Sequence, residues 1–185
     1  MALISTNQYL TRDQGLDNAQ YIFDFFTMHP VQPWTPQAVS AMLGNMFVES
    51  TINPGIWQGR DEFDYSGGFG LTQWTPATKY IDWAATIGAS DYAAYKLIDP
   101  QCQRIAYELA NGLQWQETQG MSFLDFATST KDVRYLSDRF CWGYEIPADP
   151  DLVLRADLGE FYFKLFTVKK KKSKWIYMLK KPQLI

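Results

Sequence analysis

Apolar residues return every three or four positions along most of the chain, the spacing of helices that bury one face. Val39, Met42, Leu43, Met46 and Phe47 do so, with Ser50 closing the series. Ala77, Tyr80, Ile81, Ala84 and Ala85 form a second run that ends at Gly88. Cys102, Ile105, Ala106 and Leu109 form a third, ending near Gly112, and Leu152, Ala156, Gly159 and Phe163 a fourth. Each run follows a capping side chain and a proline: Thr35-Pro36, Thr75-Pro76, Asp99-Pro100 and Asp149-Pro150. A proline suits the first helical position because its missing N–H has no helical partner there. Two more helices are predicted, one opened by Asp17 with Ala19, Ile22, Phe23 and Phe26, the other carrying Val133, Leu136, Phe140 and Tyr144. A short helical turn is predicted from Ser122.

The stretch from Thr51 to Trp74 breaks the pattern. It holds Gly55, Gly59, Gly67, Gly68 and Gly70 and has no helical period, so it reads as short β-strands or a hairpin between helices. The expected fold is mainly α, of α+β type, with six or seven helices and one small β-hairpin or sheet insert. After Phe166 the composition shifts to TVKKKKSK and then WIYML. This divides the chain into a domain, 1–166, and a basic linker or arm, 167–185. The arm's apolar run is too short to span a bilayer and is expected to dock on another protein.

Charge sharpens that division. Seven of the 17 basic residues lie between Lys169 and Lys181, and all 20 acidic residues lie at or before Glu160. The body therefore carries −10 and the tail +7. An acidic body argues against nucleic acid as a partner, whereas the tail suits phosphates or acidic surfaces. The opening residues lack the basic and apolar regions of a signal peptide, and no run is long enough for a transmembrane span.

Two cysteines and one histidine exclude a Cys/His zinc cluster by count. Cys102 and Cys141 fall on apolar faces of different helices, as buried free thiols do. His29, before Pro30, reads as a helix-end or loop side chain. No metal or cofactor is called for.

Glu49 stands near the end of the second helix, just before the insert. At about 3.6 residues per turn it falls beside Met42 and Met46, at the edge of the apolar stripe. A carboxyl flanked by apolar groups keeps its proton to higher pH, as a general acid requires. Asp61, Glu62 and Asp64 lie in the insert, and a second carboxylate there, Asp64 before Asp61, would serve as the base. Trp57, Tyr65, Phe69 and Trp74 are either core residues or platforms for sugar rings, and 16% of the chain is aromatic.

The order of short motifs resembles the phage tail lysozyme family of the lysozyme-like superfamily. The matching residues are Leu43-Gly44-Asn45, Glu49-Ser50, Ile52-Asn53-Pro54, Gly70-Leu71-Thr72-Gln73-Trp74 and Tyr144-Glu145-Ile146-Pro147. The resemblance runs from about Leu16 to Phe166. It implies a lysozyme-like fold and cleavage of peptidoglycan glycan strands as a β-1,4-N-acetylmuramidase, with Glu49 as the catalytic acid. It also implies a place on a phage tail, acting on the host cell wall, with other tail proteins as partners through the arm. Gln73, Trp74, Tyr65, Phe69, Trp57 and Tyr144 are then the expected substrate-binding residues. A lytic transglycosylase, a released endolysin and an inactive structural tail component stay open beside it. Glu145 is expected to be a structural partner of a neighbouring helix.

Overall fold

The computed structural model describes residues 2–117 and 120–179, with side chains in the last helix as far as Val168. Eight α-helices are present among the described residues, with a 3-10 turn at Gln58–Arg60 in the insert: α1 Leu16–Thr27, α2 Pro36–Ser50, α3 Thr78–Thr86, α4 Tyr92–Tyr95, α5 Ile98–Asn111, α6 Phe123–Thr128, α7 Val133–Phe140 and α8 Leu152–Leu179. A π turn, Cys141–Glu145, follows α7 directly.

The centre of the molecule is α2. Every residue from Ala38 to Met46 is buried, so this helix is enclosed rather than amphipathic. It packs against α8, α7, α1 and α6. Its start follows the sequence closely, because the Thr35 side chain accepts from Ala38 N–H with Pro36 in the first turn. Ser122 and Asp125 likewise form a reciprocal capping box that opens α6.

The other threonine and aspartate caps do different work. The Thr75 hydroxyl donates to the Gln73 carbonyl, the Thr75–Pro76 peptide is cis, and α3 begins only at Thr78. Asp99 lies inside α5 and accepts from the Tyr21 hydroxyl at 2.8 Å and the Gln103 amide at 2.6 Å. Asp151, not Asp149, precedes α8 and accepts from Leu154 N–H.

The insert between α2 and α3 is compact but forms no hairpin or sheet among the described residues. Two isolated antiparallel bridges, Trp57 with Phe69 and Phe69 with Trp74, are its only ladder pairs there. Extended runs cannot grow because Gly59, Arg60, Phe63, Gly70 and Gln73 have positive φ, which turns the chain each time. Gly70 is required twice over: its φ is 80°, and a Cβ there would lie 2.5 Å from Gln101 Oε1. That buried amide holds the insert to α5, accepting from Leu71 N–H at 2.8 Å and donating to the Pro54 carbonyl at 2.6 Å.

Cys102 and Cys141 are buried free thiols, as the sequence predicts. Burial pushes the Cys141 thiol up to about 11. His29 accepts from Gln32 N–H through Nδ1 in the loop after α1. No helix among the described residues is long and apolar enough to cross a membrane. α8 runs without a break across the boundary expected at 166/167. The side chains of the expected arm from Lys169 onward, including its Trp175–Leu179 run, and all of 180–185 lie outside the described residues.

Candidate active site

Glu49 is the second-last residue of α2, where the helix ends abruptly. Thr51 caps it in the left-handed region, and Ile52 follows at φ 57°. The neighbouring Ser50 is buried, and its hydroxyl lies 2.8 Å from the Leu71 carbonyl, pinning the helix end to the insert. Asn53 then ties in the N-terminal segment. Its Oδ1 accepts from Thr6 N–H, and its amide reaches the Thr6 and Gln8 carbonyls. These contacts bring Tyr9 to the edge of the space in front of Glu49.

The surroundings of Glu49 are less apolar than the helical wheel predicts. The Arg155 guanidinium, from α8, donates to Glu49 Oε1 at 2.6 Å. Arg155 is only 2% exposed, whereas the Glu49 side chain keeps 19% of its surface. The same guanidinium donates to Asn45 Oδ1 at 3.2 Å and to the Pro150 carbonyl. This contact needs α2 and α8 to cross very closely. A Cβ on Gly44 would stand 2.2 Å from the Arg155 carbonyl oxygen and 2.6 Å from Gly159 N. The Leu43-Gly44-Asn45 motif thus has a physical basis: Gly44 makes room for the crossing, and Asn45 orients the arginine that meets Glu49.

In front of Glu49 lies an open cleft of about 430 Å³, lined by Tyr9, Gln58, Thr72, Gln73, Glu145 and Pro147 among others. Amide, hydroxyl and carboxyl groups dominate its wall, which suits a ligand rich in hydroxyls. Gln73 sits in it at φ 49°, donating to the Ile56 and Gly70 carbonyls, so its amide also fixes the turn that carries it.

Glu145 is the second carboxyl of this cleft. It ends the π turn, and Ile146 beyond it has φ 51°. The residue as a whole is partly exposed, but its Oε1 is closed off from water and has no hydrogen-bond partner. Burial pushes this carboxyl well above the usual carboxylate range; the charge of Glu49 pushes the same way, and Arg155 opposes it.

The structure brings Glu49 and Gln73 together in the cleft and places the other expected residues elsewhere. Asp61 and Asp64 are exposed and do not line it. Asp64 accepts from the Ser66 hydroxyl and N–H, which hold its carboxyl below the usual range. Tyr65 is 45% exposed and meets the Trp57 ring edge-on. Trp57, Phe69, Trp74 and Tyr144 are buried, so their rings pack the core instead of offering a face to sugar. Trp74 stacks on Tyr80 at 4.8 Å, and Tyr144 stacks on Phe140 at 4.7 Å.

Trp74 and Tyr144 share a further partner. Buried Glu108 of α5 accepts from Trp74 Nε1 at 3.1 Å, from the Tyr144 hydroxyl, and from Arg104 Nε at 2.7 Å. Glu108 therefore joins α5, the insert and the π turn behind the cleft wall. Its carboxyl is pushed up by burial, against these donors.

Sequence reasoning missed Arg155 and Tyr9, and gave Glu145 a different role. Arg155 left one signal, a charged residue between the apolar positions Leu152 and Ala156. No group of three or more His, Cys, Asp or Glu side chains among the described residues is arranged to hold a metal ion.

Comparison with known proteins places this geometry in context. The model of the phage tail lysozyme family matches residues 17–166. The chain is also 44% identical over 166 residues to Morphogenesis protein 1 of Bacillus phage B103. That match covers 89% of this chain but only 43% of the relative, so the chain spans less than half the relative's length.

Proposed function

The chain belongs to the phage tail lysozyme family, and from that premise we propose that it is a β-1,4-N-acetylmuramidase that cuts peptidoglycan with Glu49 as the catalytic acid. The observation that carries this reading is the placement of Glu49: a helix-end carboxyl, partly exposed, on the wall of an open polar cleft. A glycan strand lies along the cleft, its hydroxyls facing Gln58 and Gln73. Glu49 gives its proton to the glycosidic oxygen between N-acetylmuramic acid and N-acetylglucosamine. Arg155 stabilises the carboxylate left behind, a charge that grows as the bond breaks. That carboxylate then takes a proton from the attacking hydroxyl.

The identity of that hydroxyl separates two products. Water gives a muramidase. The muramic 6-hydroxyl gives a 1,6-anhydro sugar, as in a lytic transglycosylase. The second reading gains support from the exposed positions of Asp61 and Asp64, which put neither expected base on the cleft wall. The protein is read as carried on a phage tail, where local wall cleavage serves entry; release at lysis is the alternative.

Purified protein incubated with peptidoglycan tests the reading. Glu49→Gln is expected to fold normally and to lose about 10²–10⁴-fold in rate. Mass spectrometry of the fragments assigns the attacking hydroxyl. Wild-type turnover by Glu49→Gln sinks the assignment, and an inert wild-type protein leaves a structural tail component.

A further inference from the structure

The N-terminal segment has no part in the reading above, yet it puts an aromatic ring on the cleft wall. We infer that Tyr9 is a substrate-binding residue whose ring is a platform for a pyranose ring of the glycan. A segment that lies ahead of the family match then supplies one of the cleft's sugar subsites. This rests on the cleft being the glycan site, as proposed above.

Residues 2–10 form no helix or strand, and the body holds them through side chains. Asn53 grips Thr6 twice, accepting from its N–H at 3.1 Å and donating to its carbonyl at 2.6 Å. The same amide donates to the Gln8 carbonyl at 2.5 Å. Asn7 Oδ1 accepts from Trp57 N–H at 3.0 Å. Thr51 Oγ1 accepts from Leu10 N–H at 2.8 Å, and Leu10 is buried. Gly55 permits the close approach, since a Cβ there would stand 2.7 Å from Thr6 N. Tyr9 is therefore fixed on both sides, at Gln8 and at Leu10, by residues that follow Glu49 beyond the end of α2.

The ring itself is not tied down. Tyr9 is 57% exposed, and among the described residues its side chain makes no hydrogen bond and meets no other ring. A single exposed aromatic is ordinary on a protein surface. This one lines the cleft with Glu49, Gln58 and Gln73, and among the described residues it is the only aromatic on that wall. Trp57, Phe69, Trp74 and Tyr144 are buried, and Tyr65 is exposed away from the cleft. The amides of the wall match a sugar's hydroxyls, but a pyranose also has faces of C–H groups. Such a face lies flat on an aromatic ring, whose negative π surface attracts the polarised hydrogens. A clamped backbone keeps the entropy lost on covering the ring small.

Binding and turnover, both measured on the full chain, test this. Binding is followed by calorimetry in the Glu49→Gln background, so that cleavage does not consume the ligand. The probe is a soluble tetrasaccharide of alternating N-acetylglucosamine and N-acetylmuramic acid. Tyr9→Ala is expected to weaken binding about tenfold, whereas Tyr9→Phe, which keeps the ring and drops the hydroxyl, should stay within about twofold. On peptidoglycan, with Glu49 in place, Tyr9→Ala should raise KM and leave kcat little changed, because the sugar stacks equally in ground and transition states. Its melting temperature should stay close to that of wild type, since the ring has no partner to lose. Equal affinity of Tyr9→Ala and its parent overturns the inference. So does a Tyr9→Phe chain that binds no better than Tyr9→Ala, because the hydroxyl would then be the binding group. A Tyr9→Ala chain that melts early or fails to fold also overturns it, because the ring would then be a structural contact. Absence of binding by the parent removes the glycan as the cleft's ligand, and the inference with it. A wild-type protein that leaves peptidoglycan uncut, while its Glu49→Gln form binds the tetrasaccharide, sinks the proposed activity alone, with the affinities still deciding the role of Tyr9.

Discussion

Arg155 falls in register with Gly159, Tyr162 and Phe166 along the buried face of α8, where an apolar residue would suit the packing. Its charge is tolerated there because the guanidinium donates to Glu49, Asn45 and the Pro150 carbonyl. Replacing it with methionine keeps the bulk but strands Glu49 and Asn45. The expected cost is about 3 kcal/mol in denaturant unfolding, the low end for breaking a buried ion pair, because Glu49 retains some water. Unfolding at the wild-type midpoint would show that the pair contributes nothing to stability. Glu145 gives a second test at this scale. Its folded carboxyl lies above the ordinary range. Its stabilising contribution is therefore present below the unfolded value of about 4.3 and is lost as pH rises through the folded value. Glu145→Gln escapes that loss. Its melting temperature relative to wild type should rise from acidic to alkaline pH, with Glu108 cancelling because both proteins contain it. A difference independent of pH would mean that Glu145 is as easily ionised in the fold as in the unfolded chain. The place of Glu49 at the end of α2 was legible in the sequence because helix periodicity is a local fact. Arg155 was not, since its partner stands 106 residues away and only the fold joins them.

At the scale of elements, the 3.6-residue period located the long helices, but the proline pairs misplaced several starts. Thr35 caps because its oxygen accepts from Ala38 N–H while its hydroxyl donates to the Ser129 carbonyl, whereas Thr75 and Asp99 bond instead to Gln73, Tyr21 and Gln103. Cap signals report what a side chain can do, and other partners, near in the chain for Thr75 and both near and distant for Asp99, can take it instead. The insert was legible as free of α-helix but not as sheetless, because its positive-φ residues include Arg60, Phe63 and Gln73, which carry no glycine-like signal. Trp57, Phe69, Trp74 and Tyr144 are buried for a related reason: the core and a sugar cleft select the same side chains, and burial separates the two uses. The crossing of α2 and α8 supplies the prediction here. Gly44→Ala puts a methyl 2.2 Å from the Arg155 carbonyl oxygen, with Gly159 N 2.6 Å away. Both obstacles are backbone, so the helices must separate. A loss of about 3 kcal/mol is expected in chemical denaturation. Activity should fall further than stability alone explains, because Arg155 and Glu49 reach each other across that crossing. A variant with wild-type unfolding and turnover would mean the helices part at little cost.

At the scale of the whole molecule, the question is where the folded body stops. Tyr162 and Phe166 are buried on α8, and Phe166 meets Phe23 of α1 at 5.1 Å. Val168, two residues on, is 52% exposed. The family match ends at the same place, residue 166. We therefore propose that the residues after Val168 are not needed to hold the body together. The residues after Val168 carry seven lysines, which are then expected to act on surroundings instead of on the core. Two truncations separate these roles. A chain ending after Glu160 loses Tyr162 and Phe166, each worth about 3–5 kcal/mol when buried, against a total stability of about 5–15 kcal/mol. It should fail to fold. A chain ending after Val168 keeps that core and should melt within a few degrees of the full protein and cut soluble muropeptides at a similar rate. It also sheds a +7 charge from a body of −10. Retention on walls rich in phosphate should therefore weaken, and the salt dependence of that retention should largely disappear. Binding measured on intact walls at low and high salt checks this. If the longer truncation melts early, the end of α8 is part of the folded core; if wall binding is unchanged at every salt concentration, the lysines serve some contact other than an anionic wall.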